Sequence, residues 1–483
     1  MNLLKKDKQF WFFVIIPIIL FWLGCYALGL PFPQDDDLFF GGTAFNLAQS
    51  GEFVNPLIAQ WSERTATHFF VQPPFFFYIL AGWLSIWGIS TKSILTFKLL
   101  CYITFSISTA LLLKHYKCSS LATYAIAICF ATWALFVGVR HDILGMDFLA
   151  IGALFLTRDR PFYYFWGFSF LGASILTAPI LLVYAIPWGL ALIYCNWRTT
   201  KARKKAYWIE RIIAWIAAFL LNLILFLWCI NFRFSQFLDD LSWHSSFRRQ
   251  SLGQAIPTAV WIWQMGYGKI IHGSLLILLL STSLLWLWHW SSTPKTPKNI
   301  ILLFWINLIL NLLIYASTVV TIFRFFSWVI VILITSEVSL NKLTRKLLIV
   351  FAIVVFFLNN SMALVTLALT QKTNPNDYAE ILEYVEQNPE KNYVIDGIAA
   401  RFVFNYQFPK NTISWIGSVP APLLWPTSLD DKTENEVWII SAQKAWHFPE
   451  LPDYPRVEIF GQKLDSIALR PYDILLIESE KIH

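Results

Sequence analysis

Long apolar runs alternate with short charged stretches along most of the chain. The first run, Phe10–Leu30, follows three lysines and has about the 20 residues that a helix needs to cross a bilayer. Ten further runs lie at about 95–113, 119–139, 143–157, 162–177, 179–196, 208–230, 270–290, 300–319, 325–340 and 347–369. The pattern predicts a polytopic α-helical membrane protein with about 11 spans, the first of them uncleaved.

Hydropathy alone does not show whether the aromatic segment Pro73–Ser90 spans the membrane. The charges of the loops decide this question. If this segment does not span, 18 basic residues fall in loops on the side of the N-terminus, against 9 on the other side, one of which is Lys98. Because cytoplasmic loops are enriched in Lys and Arg, this arrangement predicts a cytoplasmic N-terminus. We therefore expect Pro73–Ser90 to be an interfacial or re-entrant segment on the outer side of a cytoplasmic (inner) membrane.

This topology predicts two domains. Residues 1–370 form a transmembrane domain with long outer loops at about 31–94 and 231–269, and residues 371–483 form an extracytoplasmic, or periplasmic, domain. The second part carries 10 basic and 17 acidic residues, whereas the first carries 27 and 13. Such an acidic excess is typical of a separate soluble segment.

The pattern within 371–483 predicts a small α/β domain. Asn376 is a candidate cap for a helix whose apolar face begins at Tyr378. Runs rich in β-branched and aromatic residues, separated by Pro and Gly, predict strands at Tyr393–Ile395, Val437–Ile440, Val457–Phe460 and Ile474–Ile477.

The composition excludes several classes of protein. With 57% hydrophobic and 14% charged residues, the chain is neither an ordinary soluble enzyme nor a disordered protein. The basic residues form no contiguous face, so no nucleic-acid partner is expected. Neither GxGxxG nor GxxxxGK[ST] occurs, so no nucleotide cofactor is expected.

Three consecutive carboxylates, Asp35, Asp36 and Asp37, follow the first span. In a partly desolvated cavity such a group can act as a general base on a hydroxyl or hold a divalent cation. The alternative is a solvated acidic loop. The residues alone leave open whether Asp36 and Asp37 bind a metal.

A second polar motif, Arg140-His141-Asp142, lies at an outer boundary of a predicted span. Arg140 can pair with a phosphate and Asp142 can orient it, although a plain boundary ion pair is the alternative. Asp147 would lie inside the span itself, where an acid is costly and therefore a functional candidate.

Further polar candidates lie on the same predicted side. His68 and Gln72 precede the aromatic segment, which starts with Pro73 and Pro74. The second outer loop holds a group of acids and cations, and one more arginine lies at a later span boundary; the candidates for binding a phosphate are Arg248, Arg249, Lys269 and Arg324. A solvated loop or a snorkelling arginine is the alternative for each.

The order of these features resembles the integral-membrane glycosyltransferases of GT-C type. Within that type, the chain resembles the dolichyl-phosphate-mannose protein mannosyltransferases and the bacterial aminoarabinose lipid A transferases. Their pattern is an acidic pair after the first span, a basic-Pro-Pro element, an Arg-x-Asp at the fourth span and a late Arg-Tyr element. The matching positions are Asp36-Asp37 with Phe39-Phe40 and Gly51-Glu52-Phe53, Gln72-Pro73-Pro74-Phe75 with Trp87-Gly88, Arg140-His141-Asp142, and Phe323-Arg324-Phe325.

The chain departs from that pattern at a few positions. Asp37 stands where the family usually has Glu, Gln72 where it has Lys or His, and Val71 where the aminoarabinose transferases have an acid. The resemblance therefore leaves the sugar and the acceptor unassigned.

The resemblance implies a mechanism and a set of partners. A sugar would pass, with inversion, from a polyprenyl phosphate donor of undecaprenyl or dolichyl type to a hydroxyl or phosphate of a lipid, glycan or protein acceptor. Asp36 would be the base, with Asp37 beside it. Competing interpretations are a transporter or flippase, or a polymerase or ligase, for lipid-linked saccharides.

Overall fold

The structure is a computed structural model of the chain. It describes residues 8–27, 37–58, 64–70, 72–115, 123, 140–158, 160–182, 185–186, 189, 205–246, 350, 379–395, 399, 412–414, 435–441, 456–459, 462–468 and 474–477.

Ten α-helices are defined within the described residues. The first, α1, is a continuous helix over Lys8–Ala27 whose stretch Trp11–Ile15 has π geometry, and a π turn at Asp37–Gly41 leads directly into α2. The others are α2 (Gly42–Ser50), α3 (Arg64–Thr67), α4 (Phe75–Trp87), α5 (Thr91–His115), α6 (His141–Leu156), α7 (Pro161–Thr177), α8 (Lys205–Cys229), α9 (Phe234–Ser246) and α10 (Ala379–Gln387). Short 3₁₀ turns occupy Pro56–Ile58 and Pro179–Leu181.

Three described helices are long and apolar enough to cross a membrane. They are α1, α5 and the part Trp208–Cys229 of α8, and they correspond to the first, second and seventh predicted spans. Helices α6 and α7 match the predicted runs 143–157 and 162–177 but have 16 and 17 residues. The other predicted spans lie wholly or partly outside the described residues, so the count of 11 stays a prediction.

The aromatic segment after Gln72 forms α4, which has 13 residues. At 1.5 Å per residue such a helix is about 20 Å long, which is short of the roughly 30 Å hydrocarbon core. The helix is therefore shorter than a straight span, and its interfacial or re-entrant placement on the outer side stays a prediction. Gly88 ends it with a φ of 83°, a left-handed value that favours glycine.

The central helices pack closely because glycines line their contacts. A β-carbon on Gly152 of α6 would lie 2.9 Å from the backbone oxygen of Gly167 in α7. On the other side of α7, a β-carbon on Gly172 would clash with the side chain of Asn222. The Asn222 amide donates to the backbone oxygen of Ser169 at 3.2 Å, which links α8 to α7 by a buried polar contact.

Helix α1 packs against α5 through an aromatic pair. The rings of Trp22 and Tyr102 are stacked with centroids 4.9 Å apart, and the indole N–H of Trp22 donates to Ser106 Oγ at 3.2 Å. One basic residue of α5 was predicted in the wrong place. Lys98, counted above with the outer loop charges, is 3% exposed and lies within the helix.

The chain after α10 forms two small sheets. The larger has strand order β2-β1-β3-β6, with β1 parallel to β2 and β3, and β6 antiparallel to β3. The strands are β1 (Asn392–Ile395), β2 (Thr412–Ser414), β3 (Glu436–Ser441), β4 (Arg456–Ile459), β5 (Gln462–Ala468) and β6 (Ile474–Ile477). The predicted helix and four predicted strands are present, whereas β2 and β5 were not predicted.

The larger sheet shares a hydrophobic core with the segment between α1 and α5. Tyr393 and Val437 of the sheet belong to the same buried cluster as Phe40 and Phe76. Strand β2 lies against the 3₁₀ turn Pro56–Ile58. The sheet and this segment are therefore at the same end of the helical bundle.

Candidate active site

Asp37, the last residue of the acidic motif, is the first residue of the π turn Asp37–Gly41. Asp36 lies outside the described residues, and of Asp37 only the backbone is described. Three residues later, the ring of Phe40 is 3% exposed, so the turn is embedded in the core immediately after its acidic start. The position of the Asp37 backbone is therefore set by how this turn is held.

A buried asparagine holds the turn. The Asn55 amide group donates to the backbone oxygen of Phe39 and to Thr43 Oγ1, each at 3.1 Å, and Asn55 is fully buried. Its backbone N–H donates to the oxygen of Thr65 at 2.7 Å. Asn55 thus ties the π turn, the start of α2 and helix α3 together, and the hydrophobic pattern carries no signal for this role.

The π turn lies beside the Arg140-His141-Asp142 motif. The imidazole of His141 is 4.8 Å from the ring of Phe40, and the Arg140 guanidinium carbon is 5.9 Å from that same ring. Phe76 of α4 packs against both rings, with its centroid 6.4 Å from that of His141 and 5.9 Å from that of Phe40. The structure therefore brings together two motifs that are 103 residues apart in the sequence, Asp37 and Arg140.

Asp142 is the centre of the second motif. Arg140 Nε donates to its Oδ2 at 2.8 Å, and His141 Nε2 lies 3.0 Å from its Oδ1. The side chains of Asp142 and His141 are 3% and 7% exposed. Arg140 precedes the first helical residue, so Asp142 lies in the first turn of α6, where the helix dipole favours a negative charge. The arrangement fixes the orientation of the Arg140 guanidinium.

His68 and Gln72 are held by α9. His68 Nε2 lies 3.1 Å from Asp240 Oδ2, and Arg64 Nη1 is 2.7 Å from Asp239 Oδ2 and 3.5 Å from Asp240 Oδ1. One turn further along α9, Gln72 Nε2 is 3.0 Å from His244 Nε2. These contacts join the segment 64–72 to a helix about 170 residues later in the chain.

Several predicted site residues lie outside the described part of the chain. They are Arg248, Arg249, Lys269 and Arg324, together with Asp36. Helix α9 ends at Ser246, two residues before Arg248. Of the ten predicted positions, the side chains of four are described, namely His68, Gln72, Arg140 and Asp142.

A buried acid lies deeper in α6. Asp147 is 5% exposed, and its Oδ1 has no hydrogen-bond partner within the described ranges. This burial agrees with the expected position inside a span. Over the same ranges, no group of three or more His, Cys, Asp or Glu side chains is arranged to hold a metal ion. The proposed metal role of Asp36 and Asp37 stays a prediction.

Comparison with known proteins finds one fold. No family model matches the sequence, and neither does any curated protein. Among solved structures, the crystal structure of ArnT from Cupriavidus metallidurans bound to undecaprenyl phosphate matches with a TM-score of 0.52 and 13% identity. The match covers 93% of this chain and 97% of that one. It shows that the chain has an ArnT-like membrane fold, as the resemblance implied, whereas the count of 11 spans and the extracytoplasmic C-terminal domain stay predictions.

Proposed function

We propose that the chain transfers a sugar from a polyprenyl phosphate donor to an acceptor hydroxyl or phosphate at the outer face of the membrane. The observation that carries this proposal is the likeness, over nearly the full length of both chains, to a structure that holds undecaprenyl phosphate. The cluster formed by the π turn and the Arg140-His141-Asp142 motif supports it, because such a reaction needs acids and cations together.

In the proposed reaction, the acceptor O–H gives its proton to the Asp36 carboxylate. The acceptor oxygen forms a bond to the anomeric carbon as the bond from that carbon to the phosphate oxygen breaks. Polyprenyl phosphate leaves with the electron pair, and the configuration is inverted. A positioned general base of this kind contributes about 10²- to 10⁴-fold in rate.

The leaving group is a phosphate, so cations stabilise the developing charge better than a second acid would. Arg140 is our first candidate, since Asp142 orients it beside the π turn. His68 and Gln72 are candidates on the segment held by α9. On the sequence pattern alone, we add the cations of the later loops, which are Arg248, Arg249, Lys269 and Arg324.

We further propose that this end of the bundle faces outward and that residues 371–483 are extracytoplasmic. A reporter fused after His483 is expected to read as extracytoplasmic, because the C-terminal sheet shares its core with the outer segment. A fusion after Lys204, in the basic stretch 198–211, serves as the matched control and is expected to read as cytoplasmic. Reversed readings at the two positions would contradict the orientation.

The reaction itself is tested by removing the protein from its host. A polyprenyl phosphate sugar is expected to accumulate, because its consumer is lost, and its mass identifies the donor. Adding that lipid back to membranes with the protein is then expected to release free polyprenyl phosphate. If the lipid-linked sugar instead crosses the bilayer with its sugar–phosphate bond intact, the flippase interpretation replaces this one.

A further inference from the structure

A tight turn connects α8 to α9. Asn231 and Phe232 have φ values of 49° and 59°, in the left-handed region that non-glycine residues rarely adopt. The backbone N–H of Phe232 donates to the oxygen of Leu227 at 2.9 Å, and that of Arg233 donates to the oxygen of Ile230 at 2.9 Å. The direction of α9 relative to α8 is therefore fixed at its start.

One apolar and two polar side chains on the same face of α9 contact neighbouring segments. Phe237, Asp240 and His244 are spaced by three and four residues, which places them on the same side of a helix. Phe237 packs on Phe226 of α8, with ring centroids 5.1 Å apart, and on Phe70 at 6.5 Å. Asp240 and His244 continue this face toward the segment 64–72.

Two adjacent carboxylates on α9 have opposite environments. The side chain of Asp240 is 1% exposed, whereas that of Asp239 is 69% exposed. Asp240 Oδ1 and Oδ2 lie 3.2 and 3.1 Å from His68 Nε2. Asp239 contacts Arg64 at 2.7 Å on the surface, where an ion pair contributes little.

We propose that Asp240 is a positioning residue that holds α9 against the segment 64–72 and so keeps His68 and Gln72 in place to bind the lipid phosphate. The inference rests on the function proposed above. A buried negative charge in direct contact with a phosphate-binding histidine opposes phosphate binding by simple Coulomb repulsion. Its contribution to binding is therefore through the position of its neighbours and not through its own charge.

Asp240 and Asp239 are therefore a matched pair for mutation. Asp240→Asn and Asp239→Asn each remove one negative charge from the same helix, one residue apart. If charge alone mattered, both variants would bind undecaprenyl phosphate as well as or better than the unmodified chain. If Asp240 acts through position, only Asp240→Asn loses affinity.

The test uses the full chain in lipid nanodiscs with undecaprenyl phosphate as the probe. Asp240→Asn is expected to bind about tenfold more weakly, and Asp239→Asn to stay within about twofold. Hydrogen exchange of the α9 amides is expected to rise in Asp240→Asn and not in Asp239→Asn. Equal affinities and equal exchange in the two variants would overturn the proposal.

A double variant separates positioning from general destabilisation. Because His68 lies directly against Asp240, Asp240→Asn combined with His68→Gln is expected to lose less affinity than the sum of the two single losses. Additive losses would overturn the proposal. If the unmodified chain does not bind the lipid while the exchange result holds, the phosphate role and the proposed donor both fail, and α9 is only a structural support.

Discussion

Asp36→Asn is expected to lower the rate of sugar transfer by about 10²- to 10⁴-fold, the contribution of a positioned general base. An amide matches the carboxylate in size but cannot take the acceptor proton, so the protein should still fold and bind its donor. Transfer is measured with the lipid-linked sugar that accumulates in the host, in membranes adjusted to equal amounts of protein. The loss should be in kcat, because the base acts in the transition state.

The neighbouring acid provides the control for this prediction. Asp35→Asn changes the local charge by the same amount but replaces a residue outside the pair assigned to catalysis, and it is expected to stay within about twofold of the unmodified rate. A normal rate for Asp36→Asn would rule out its role as the base. A similar loss in both variants would assign the effect to the charge of the loop.

Arg140→Ala is expected to weaken donor binding by about 10- to 100-fold, since a charge-assisted hydrogen bond to a phosphate contributes about 1.5–3 kcal/mol. The guanidinium has five N–H donors, and its bond to Asp142 uses the one at Nε. The effect is read as the apparent affinity for undecaprenyl phosphate, with the thermal unfolding midpoint measured in parallel. Affinity should fall further than stability.

Arg160→Ala is the matched control for that experiment. Arg160 is an exposed arginine that immediately precedes α7, at the far end of α6 from Arg140. We expect its loss to leave the donor affinity unchanged. An unchanged affinity in Arg140→Ala, or an equal loss in both variants, would remove Arg140 from the phosphate site.

Much of the fold could be predicted from local patterns. The apolar runs located α1, α5 and α8, and alternation with turn residues located β1, β3 and β6, because each element follows a period that its own residues carry. Strand β2 was missed because it has three residues and pairs with β1 in parallel, so it lacks a pattern of its own.

Lys98 shows why burial is harder to predict than element type. Its charge suggested an outer loop, yet it lies two turns inside α5 and is 3% exposed. Whether a charge near a helix end faces water or the bundle depends on how the neighbouring helices pack around it. That information is not contained in the hydropathy of the helix itself.

The candidate site likewise has features that the sequence predicts and features that only the tertiary structure shows. The sequence determined that the chain is a polytopic membrane protein, and it singled out the acidic run Asp35-Asp36-Asp37 and the Arg140-His141-Asp142 motif by residue type and spacing. Only the tertiary structure decided that the π turn and this motif meet. It also decided that Asn55 holds that turn, because a hydrogen bond between residues 16 apart in the sequence leaves no periodic pattern.

The contrast between Asp239 and Asp240 shows most directly why the sequence alone cannot determine which residues meet. In the sequence they are identical neighbours in an outer loop, and either could face water. The phase of α9, fixed by its turn from α8 and by the packing of Phe237, rotates Asp240 inward to His68 and leaves Asp239 in solvent. Composition and period fix which residues are available, whereas packing between distant segments fixes which of them meet.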